Sequence, residues 1–406
     1  MRFDQIKSRF IRFYEVFVVP PKIWRSPKKS DVLIYDITNM EALIPYLTGY
    51  RVEVIPLRQE SVNIPCLLRA MTAPEFWSGG AMQSYIDAFI RASSPTILLT
   101  YIDNDPGFYT ISNRFKGIKT VFVQNGTRGE LGDVFGNLVP SGTYHVDYML
   151  VHGEAVGAHY LRYISGSAIA IGSVKNNAIN VEADVVQKTV VFVSQYSNRS
   201  SKDEPFLIEA DNKPVLWDQF YAAEISVVEF LDTWCAENDW LLRVCGRDFV
   251  GNGSEKAFYA DRINKCTWEY VPRGNASSSY KLIDSAELIV FIDSTLGYES
   301  IARGKKTAAF TCRGWSSNKT PFKFGWPANL PDSGPFWTHE INENEFSRIM
   351  NYLLRVSDAD WAADRHHYAE ELMEFDPGNK RFAAILSQVL PNRVPASCRV
   401  NSPVKH

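Results

Sequence analysis

The chain has 406 residues, of which 45% are apolar and 22% are charged, and its formal net charge is −3. This length exceeds one ordinary domain and predicts two domains with extensions. The composition is that of a soluble globular protein that can bury sizeable cores. The slightly negative charge argues against a general nucleic-acid binder, because duplex binding depends on clustered Lys and Arg.

The cysteines and the apolar runs indicate the compartment. The six cysteines form no CxxC pair and mostly stand in apolar or strand-like contexts. This favours free thiols in a reducing cytoplasm over disulfides or zinc. No apolar run reaches transmembrane length and no signal-peptide pattern is present, so a cytoplasmic protein is predicted. Without HExxH, a His/Cys cluster or a convincing DxD, the sequence predicts no metal and no other cofactor.

Residues 1–30 differ from the rest of the chain. They are rich in Lys and Arg, carry only Asp4 and Glu15 as acidic residues, and repeat Phe and Ile at helical spacing. Such a basic, aromatic amphipathic segment can make peripheral contact with the inner face of the cytoplasmic membrane. The alternative is a first helix packed on the domain, which is what amphipathic periodicity usually means.

From Asp31 the chain alternates short apolar strands with helical stretches, which predicts parallel sheets. Within residues 31–185, six strands are expected, at 31–36, 50–57, 95–102, 119–125, 148–153 and 168–172. The third strand leads into a polar loop beginning at Asp103, at a carboxyl end where open α/β sheets bind ligands. Residues 31–185 are therefore expected to form a Rossmann-like domain.

A second alternation follows a linker predicted at 174–187. Strands are expected at 189–195, 240–246, 267–272, 288–293 and 306–311, and a long helix at about 220–238. They predict a second Rossmann-like domain over 186–340, closing helices over 341–390 and a flexible tail over 391–406. No GxGxxG follows either first strand, so dinucleotide binding is not supported. Two such halves, a linker and closing helices resemble the outline of a GT-B glycosyltransferase, an α/β fold, and this resemblance implies the acceptor on the N-terminal half and the donor nucleotide on the C-terminal half.

The most informative stretch begins at Leu288, with the sequence LIVFIDSTLGYESIARGKK. An apolar strand leads into Asp293, Ser294 and Thr295, and Glu299 follows one turn into a helix. The N–H groups and the positive dipole end of such a helix can hold a phosphate, and Glu299 is placed to accept hydrogen bonds from ribose hydroxyls. The alternative is an ordinary βαβ unit whose Ser and Thr only cap the helix.

Further segments extend this motif to a family resemblance. In chain order they are KTVFVQNGTRG from Lys119, YHVDYMLVHGEAVGAHY from Tyr144, AIAIGSVKNN from Ala168 and DSTLGYESIARGKK from Asp293. This order resembles that of the capsule, teichoic-acid and lipopolysaccharide transferases. The loop VFVSQYSNRS from Val191 looks like the Gln-containing loop of bacterial Kdo transferases that use CMP-Kdo. The nearest likeness is to the retaining β-Kdo transferases of O-antigen or capsule synthesis.

The resemblance implies an enzyme that moves Kdo, or a similar acidic sugar, from a CMP-activated donor to a lipid-linked polysaccharide. Two departures concern the donor: Asn125 stands where many relatives have His, and their Lys-x-His-Pro is absent. Three alternatives remain open on the same architecture. They are a CDP-glycerol-type glycerophosphotransferase, a nucleotide-sugar 2-epimerase and a non-catalytic scaffold that binds glycan.

Polar loops of the C-terminal half are the candidate donor site. Besides the residues around Asp293, it comprises Gln195, Tyr196, Ser197, Asn198 and Arg199 after the first strand of that half, and Arg243 and Arg247 near a strand end. These groups could hold a sugar carboxylate or a phosphate. The alternative is a solvated loop with surface arginines.

The matching loop of the N-terminal half comprises Asn125, Gly126, Thr127 and Arg128, and is predicted to face the acceptor together with Asp103. Gly126 would permit a turn with positive φ, and Arg128 could reach an anionic sugar. A plain turn is the alternative.

Three residues are candidates for catalysis. His152 and Glu154 follow a strand and are candidates for acid–base work, although each residue type is more often structural. Asp232 falls within an apolar strip of the long helix, because successive helical residues advance by about 100°. A desolvated carboxylate near a cleft is a candidate nucleophile for a retaining transferase. The alternative is an aspartate that is hydrogen-bonded to a neighbouring loop.

Overall fold

The computed structural model describes residues 14–58, 60–129, 135, 142–181, 184–196, 207–208, 214–215, 217–249, 253–275, 277–311 and 323–390. The predictions for residues 1–13, for Ser197, Asn198 and Arg199, and for the tail after residue 390 lie outside these ranges.

The N-terminal half is built on a parallel sheet. Its strands are β1 (Lys22–Ile23), β2 (Val32–Tyr35), β3 (Val52–Ile55), β4 (Val62–Asn63), β5 (Ile97–Thr100), β6 (Lys119–Val123), β7 (His145–Val151) and β8 (Ser165–Ala170). Six of these strands form the sheet, in the order β3-β2-β5-β6-β7-β8, and β1 pairs with β4. The four residues of β2 are all buried, as expected for a parallel strand covered on both faces.

The C-terminal half contains a second parallel sheet. Its strands are β9 (Val186–Val193), β12 (Leu241–Phe249), β13 (Trp268–Arg273), β14 (Ala286–Phe291), β15 (Thr307–Phe310) and β16 (Trp337–Thr338), and a separate pair consists of β10 (Leu207–Ile208) and β11 (Pro214–Val215). The order is β13-β12-β9-β14-β15-β16. The two predicted sheets are thus confirmed. The edge strand β16 was not predicted, because two residues inside a Trp/Pro/Gly-rich stretch carry no strand signal.

Helices connect the strands and cover both sheets. They are α1 (Ile64–Ala70), α2 (Ala81–Ser93), α3 (Pro106–Tyr109), α4 (Ile111–Arg114), α5 (Glu154–Tyr160), α6 (Val174–Asn177), α7 (Trp217–Asn238), α8 (Ser254–Ala260), α9 (Ser278–Asp284), α10 (Thr295–Ala302), α11 (Glu343–Arg355), α12 (Asp358–Ala369) and α13 (Lys380–Val389). Short 3-10 or π turns occupy Met40–Ala42, Ile44–Leu47, Tyr14–Val18 and Phe76–Gly80. Within the described ranges, no helix is long and apolar enough to cross a membrane.

The last three helices are divided between the two halves. Phe346 of α11 and Trp361 of α12 belong to the core of the C-terminal sheet. Phe382 and Leu386 of α13 instead pack into the core on one face of the N-terminal sheet. The chain therefore returns to its first half after completing the second, and the two halves are joined twice.

The returning segment passes close to the ends of β7 and β8. A Cβ on Gly153 would lie 2.2 Å from the carbonyl oxygen of Glu371, and one on Gly172 would lie 2.3 Å from that of Glu374. Gly172 also has a φ of +71°. Only glycine fits at both places. This accounts for Gly153 in the motif that starts at Tyr144 and for Gly172 in the motif that starts at Ala168.

The domain junction is held by Arg303, which follows α10. Its guanidinium pairs with the carboxylate of Asp284, and both side chains are fully buried, at 0% exposure. The same group donates to the carbonyl oxygens of Ile179 at 3.0 Å and Asn180 at 3.1 Å, in the segment that links the two halves. One buried guanidinium therefore ties the C-terminal domain to the linker.

Replacing Arg303 by Ala should destabilise the protein by about 3–5 kcal/mol, because the buried carboxylate of Asp284 would lose the guanidinium that pairs with it. Lys188→Ala is the matched control, since Lys188 pairs with Asp239 at 3.6 Å on the surface, where a pair contributes about 1 kcal/mol or less. Urea unfolding followed by tryptophan fluorescence measures both. Equal unfolding midpoints for wild type and Arg303→Ala would contradict this role.

Candidate functional site

The carboxyl ends of the two sheets meet at one direct contact. After β6, the backbone N–H of Thr127 donates to Oγ1 of Thr295, the first residue of α10, at 3.0 Å. A Cβ added to Gly126 would lie 3.4 Å from the same hydroxyl oxygen, so the loop approaches the helix closely. The predicted acceptor-side loop and the predicted phosphate-binding helix start are therefore brought together.

The start of α10 has the geometry expected from its sequence. Ser294 is the N-cap, in an extended conformation, and its side chain accepts a hydrogen bond from the N–H of Leu296 at 3.3 Å. Asp293 lies between the end of β14 and this cap. The helix dipole therefore points its positive end toward the contact between the two domains.

Glu299 lies deep in the junction, with 5% of its surface exposed. The hydroxyl of Tyr280 donates to Oε2 of Glu299 at 3.1 Å. Burial raises the pKa of Glu299 to about 7, although Ser173, Tyr280 and the charges of Lys175 and Arg303 act in the opposite direction. Near neutral pH this carboxyl therefore exists in both protonation states.

The N-terminal domain faces Glu299 with a chain of polar side chains. Nζ of Lys175, on α6, donates to Oδ1 of Asn39 at 2.6 Å, and Nδ2 of Asn39 donates to Oδ1 of Asn125 at 3.0 Å. Nζ of Lys175 also lies 5.4 Å from the centre of the Tyr101 ring. These residues follow β2, β5, β6 and β8, so they share the carboxyl edge of the sheet.

Charges from both domains shift the pKa of Lys175. Burial lowers its pKa, Glu41 and Glu299 raise the pKa, and Arg273 at the end of β13 lowers it. Lys175 and Arg273 are therefore close enough to repel each other across the junction. The sequence did not predict three of these residues as site residues, Lys175, Asn39 and Arg273. Only Lys175 lies in a quoted motif, and nothing in the neighbouring sequence indicated that its side chain would point at the other domain.

Arg128 does not reach into the cleft as predicted. Its Nε donates to Oδ2 of Asp103 at 2.7 Å, and the Asp103 side chain is fully buried. The backbone N–H of Asn125 donates to the other carboxylate oxygen at 3.0 Å. Burial raises the pKa of Asp103, but the charge and hydrogen bonds of Arg128 outweigh it and the net shift is downward. This buried pair fixes the shape of the 125–128 loop, and a contact of Arg128 with a sugar stays a prediction.

The strand-end residue His152 lies beside the candidate loop, because its backbone N–H donates to Oε1 of Gln124 at 2.8 Å, and Glu154 begins α5 just after it. Burial lowers the pKa of His152 to about 4, so its imidazole is neutral at physiological pH. Its carbonyl oxygen accepts from the N–H of Glu374, and the N–H of Ala155 donates to the carbonyl oxygen of Glu371. The returning C-terminal segment therefore covers this end of β7, and an acid–base role for either side chain stays a prediction.

The loop after β9 rests on buried carboxylates. The N–H of Gln195 donates to Glu224 at 3.1 Å, and Arg247 donates to the carbonyl oxygens of Gln195 at 3.2 Å and Tyr196 at 3.3 Å. Below them Glu255 accepts from the N–H groups of Arg247 at 3.0 Å and Asp248 at 2.8 Å. Arg247 thus supports the predicted donor loop from beneath.

Arg243 is not at a strand end as predicted. β12 continues to Phe249, and Arg243 stands beside Glu269 in the sheet and pairs with that side chain at 2.9 Å. The prediction ended the strand at Gly246, because glycine usually interrupts a strand. Here Gly246 stays in the strand because the Tyr270 ring packs against it, 2.4 Å from where a Cβ would be.

Asp232 is buried, as the helical pattern predicted, but it lies at the opposite edge of the sheet from the junction. Its carboxylate accepts hydrogen bonds from the N–H groups of Asn264 at 3.1 Å, Lys265 at 3.0 Å and Cys266 at 2.9 Å. These residues directly precede β13, at the amino ends of the parallel strands. The loop contacts explain the buried carboxylate, and this position argues against the predicted nucleophile, because the junction lies at the carboxyl ends.

Among the described residues, no group of three His, Cys, Asp or Glu side chains is arranged to hold a metal ion. Metal independence remains a prediction.

Comparison with solved structures places this architecture among known proteins. S. aureus MnaA, solved with UDP, has a TM-score of 0.50 and 11% identity over 89% of this chain and 97% of its own. A Listeria monocytogenes structure described as a "putative UDP-N-acetylglucosamine 2-epimerase" has a TM-score of 0.51 and 11% identity over 89% of this chain and 96% of its own. At such identities the likeness shows the fold alone, and it confirms the predicted GT-B type. No curated protein matches the chain.

A family model described as "putative O-antigen biosynthesis protein" matches residues 121–390. The match spans the loop after β6, the linker, the whole C-terminal sheet and the returning helix α13. It covers more than half of the chain, and the chain therefore belongs to this O-antigen biosynthesis family.

Proposed function

We propose that the protein is a glycosyltransferase of O-antigen synthesis that takes a sugar from a nucleotide-activated donor between its two domains. The observation that supports this most is the contact of Thr127 with Thr295. It brings a loop of the N-terminal domain onto the start of α10 and leaves Glu299 facing Lys175 across the junction.

In this proposal α10 binds the nucleotide. Its N–H groups and dipole favour a phosphate beside Ser294 and Thr295. Glu299, one turn further, accepts hydrogen bonds from the ribose hydroxyls, since a carboxylate that accepts one bond from Tyr280 keeps further acceptor capacity. With 5% of its surface exposed, Glu299 is reached only by a ligand that enters between the domains.

The donor we propose is a CMP-activated acidic sugar, Kdo or a close analogue. Lys175 from one domain and Arg273 from the other lie near enough for mutual repulsion. An anionic group between them would relieve that repulsion, as charge-assisted hydrogen bonds to phosphate or carboxylate do. The resemblance of the loop at Gln195 to that of CMP-Kdo enzymes supports the same donor and a lipid-linked acceptor, and the family supports a role in O-antigen synthesis.

Retention of configuration through Asp232 is not part of this proposal, because three loop N–H groups occupy that carboxylate at the far edge of the sheet. His152 is kept only as a neutral group beside the acceptor side, since its pKa of about 4 means that the imidazole is not protonated to an imidazolium acid at neutral pH.

Glu299→Ala should weaken CMP binding by a factor of about ten to one hundred, because hydrogen bonds to a charged group contribute about 1.5–3 kcal/mol. Glu343→Ala is the matched control, since Glu343 is an exposed glutamate in the first turn of α11. Titration calorimetry with CMP measures both variants. Equal affinity in wild type and Glu299→Ala would remove Glu299 from the nucleotide site.

The same titrations with UMP and CDP separate the alternatives. Binding of UMP without binding of CMP would contradict a CMP-linked donor and favour a UDP-sugar reaction such as 2-epimerisation. Indifference to every nucleotide would favour a scaffold that binds only glycan.

Nucleotide affinity should also depend on pH through Glu299. Its pKa of about 7 in the free protein means that the carboxyl is mostly protonated at pH 6 and must lose that proton to accept two ribose hydroxyls. Binding to wild type should therefore tighten roughly tenfold from pH 6 to pH 8 relative to Glu299→Gln, which has no titrating group there. Titration of the nucleotide phosphate is common to both proteins and cancels in the ratio. A ratio that does not change with pH would contradict this role.

A further inference from the structure

Exposed apolar side chains are concentrated in one part of the N-terminal domain. Among the described residues, four of the five most exposed large apolar side chains lie there, Trp24 at 75%, Trp77 at 66%, Val19 at 61% and Leu68 at 60%, and the other is Phe249 of the C-terminal domain at 63%. Tyr14, Val18 and Ile23 belong to the same segments and are also exposed. We call these seven residues the aromatic patch.

Backbone pairing and buried ring contacts join the segments that carry the aromatic patch. β1 pairs with β4, which leads directly into α1, and the side-chain amide of Asn63 donates to the carbonyl oxygen of Arg25 at 2.8 Å. Under the patch, the buried Phe17 ring lies 6.1 Å from the Phe76 ring. The segment that carries Trp24 is thereby attached to the segments that carry Leu68 and Trp77.

Trp77 has the second most exposed side chain of the patch, and it is held in place although it faces solvent. The indole N–H of Trp77 donates to the carbonyl oxygen of Met71 at 2.9 Å, and its ring lies 5.1 Å from that of Phe76. A large apolar side chain fixed outward in this way loses little further conformational entropy when it binds. Exposed patches of this kind mark interaction sites.

The charges around the aromatic patch indicate the partner. Residues 14–29 and 64–80 contain five basic residues, Lys22, Arg25, Lys28, Lys29 and Arg69, against two acidic ones, Glu15 and Glu75. All of these except Lys22, which is partly buried, are exposed. The local excess of positive charge contrasts with a net charge of −3 for the whole chain.

We propose that the aromatic patch docks the protein on an anionic lipid surface, with Trp24 and Trp77 entering the headgroup region. Tryptophan is favoured at membrane interfaces because its ring is apolar and its N–H is polar. Basic residues beside such rings add attraction to anionic lipids. The local excess of positive charge beside two exposed tryptophans is complementary to an anionic lipid surface, and a protein contact is the alternative that the test below separates.

The place of the aromatic patch in the fold suits such docking. The segment between β3 and α2 begins at the carboxyl edge of the N-terminal sheet, where Arg58 pairs with Asp36 at 2.7 Å just after β2. The loop that leads to Leu68 and Trp77 therefore starts at the edge that carries the candidate acceptor loop, whereas Nζ of Lys29 donates to Oγ of Ser94 at 2.6 Å, just before β5 begins. Lipid docking does not depend on the proposed sugar transfer, although it would bring that end of the domain toward a lipid-linked acceptor.

The full-length protein can be tested by co-sedimentation with vesicles of phosphatidylglycerol and phosphatidylethanolamine, and with vesicles of phosphatidylcholine alone. Wild type should sediment with the anionic vesicles, and added salt should weaken the association because it screens the basic residues. Trp24→Ser combined with Trp77→Ser should reduce the bound fraction at least roughly tenfold. Lys28→Ser combined with Lys29→Ser should reduce it on anionic vesicles only.

Leu161→Ser combined with Leu354→Ser is the matched control, since these leucines are 48% and 40% exposed but lie outside the patch. This variant should bind vesicles like wild type, and all variants should keep the melting temperature and nucleotide affinity of wild type. Unchanged vesicle binding in the tryptophan variant would overturn the proposal. So would an absence of vesicle binding together with self-association in sedimentation velocity that the tryptophan substitutions abolish, because the patch would then be a protein contact.

Discussion

The position of the two domains depends on one short helix, α10, and on two buried charged residues, Glu299 within the helix and Arg303 directly after it. Arg303 binds Asp284 in its own domain and the carbonyl oxygens of the linker, while Glu299 faces Lys175 of the other domain. Buried charges require partners, and these partners come from both halves. Because the same helix begins at the contact with Thr127, the interaction that orients the domains also orients the candidate phosphate-binding end.

This arrangement explains why the candidate site is divided between the two sheets. Parallel strands place their following loops at one edge, and each sheet contributes such an edge to the junction. The N-terminal edge supplies Asn39, Asn125 and Lys175, and the C-terminal edge supplies Thr295 and Glu299. The buried pair of Asp103 and Arg128 fixes the loop at the contact, so its charges stabilise the shape of the site.

Much of the fold could be predicted because the strands are continuous apolar runs and the helices between them are periodic. The motif at Asp293 likewise predicted a strand end, an N-cap and a helix, and Ser294 caps α10 as expected. The site could be predicted only in part, since local sequence does not tell where a charged side chain finds its partner. Arg128 and Asp232 are the clearest cases. Arg128 forms an ion pair with Asp103, and the carboxylate of Asp232 accepts hydrogen bonds from three backbone N–H groups before β13. Lys175 is the converse case. Its place in the candidate site depends on Glu299, which is more than a hundred positions away in the chain.

Hydrogen–deuterium exchange with and without CMP is the most direct test of a nucleotide site shared by both domains. The account predicts slower exchange in segments of both halves, around Asn39, Asn125 to Thr127, Lys175 and the start of α10. It predicts no change at Asn264 to Cys266, where Asp232 is bound. Protection confined to one domain, or centred on the Asp232 loop, would contradict a site built from the two carboxyl edges.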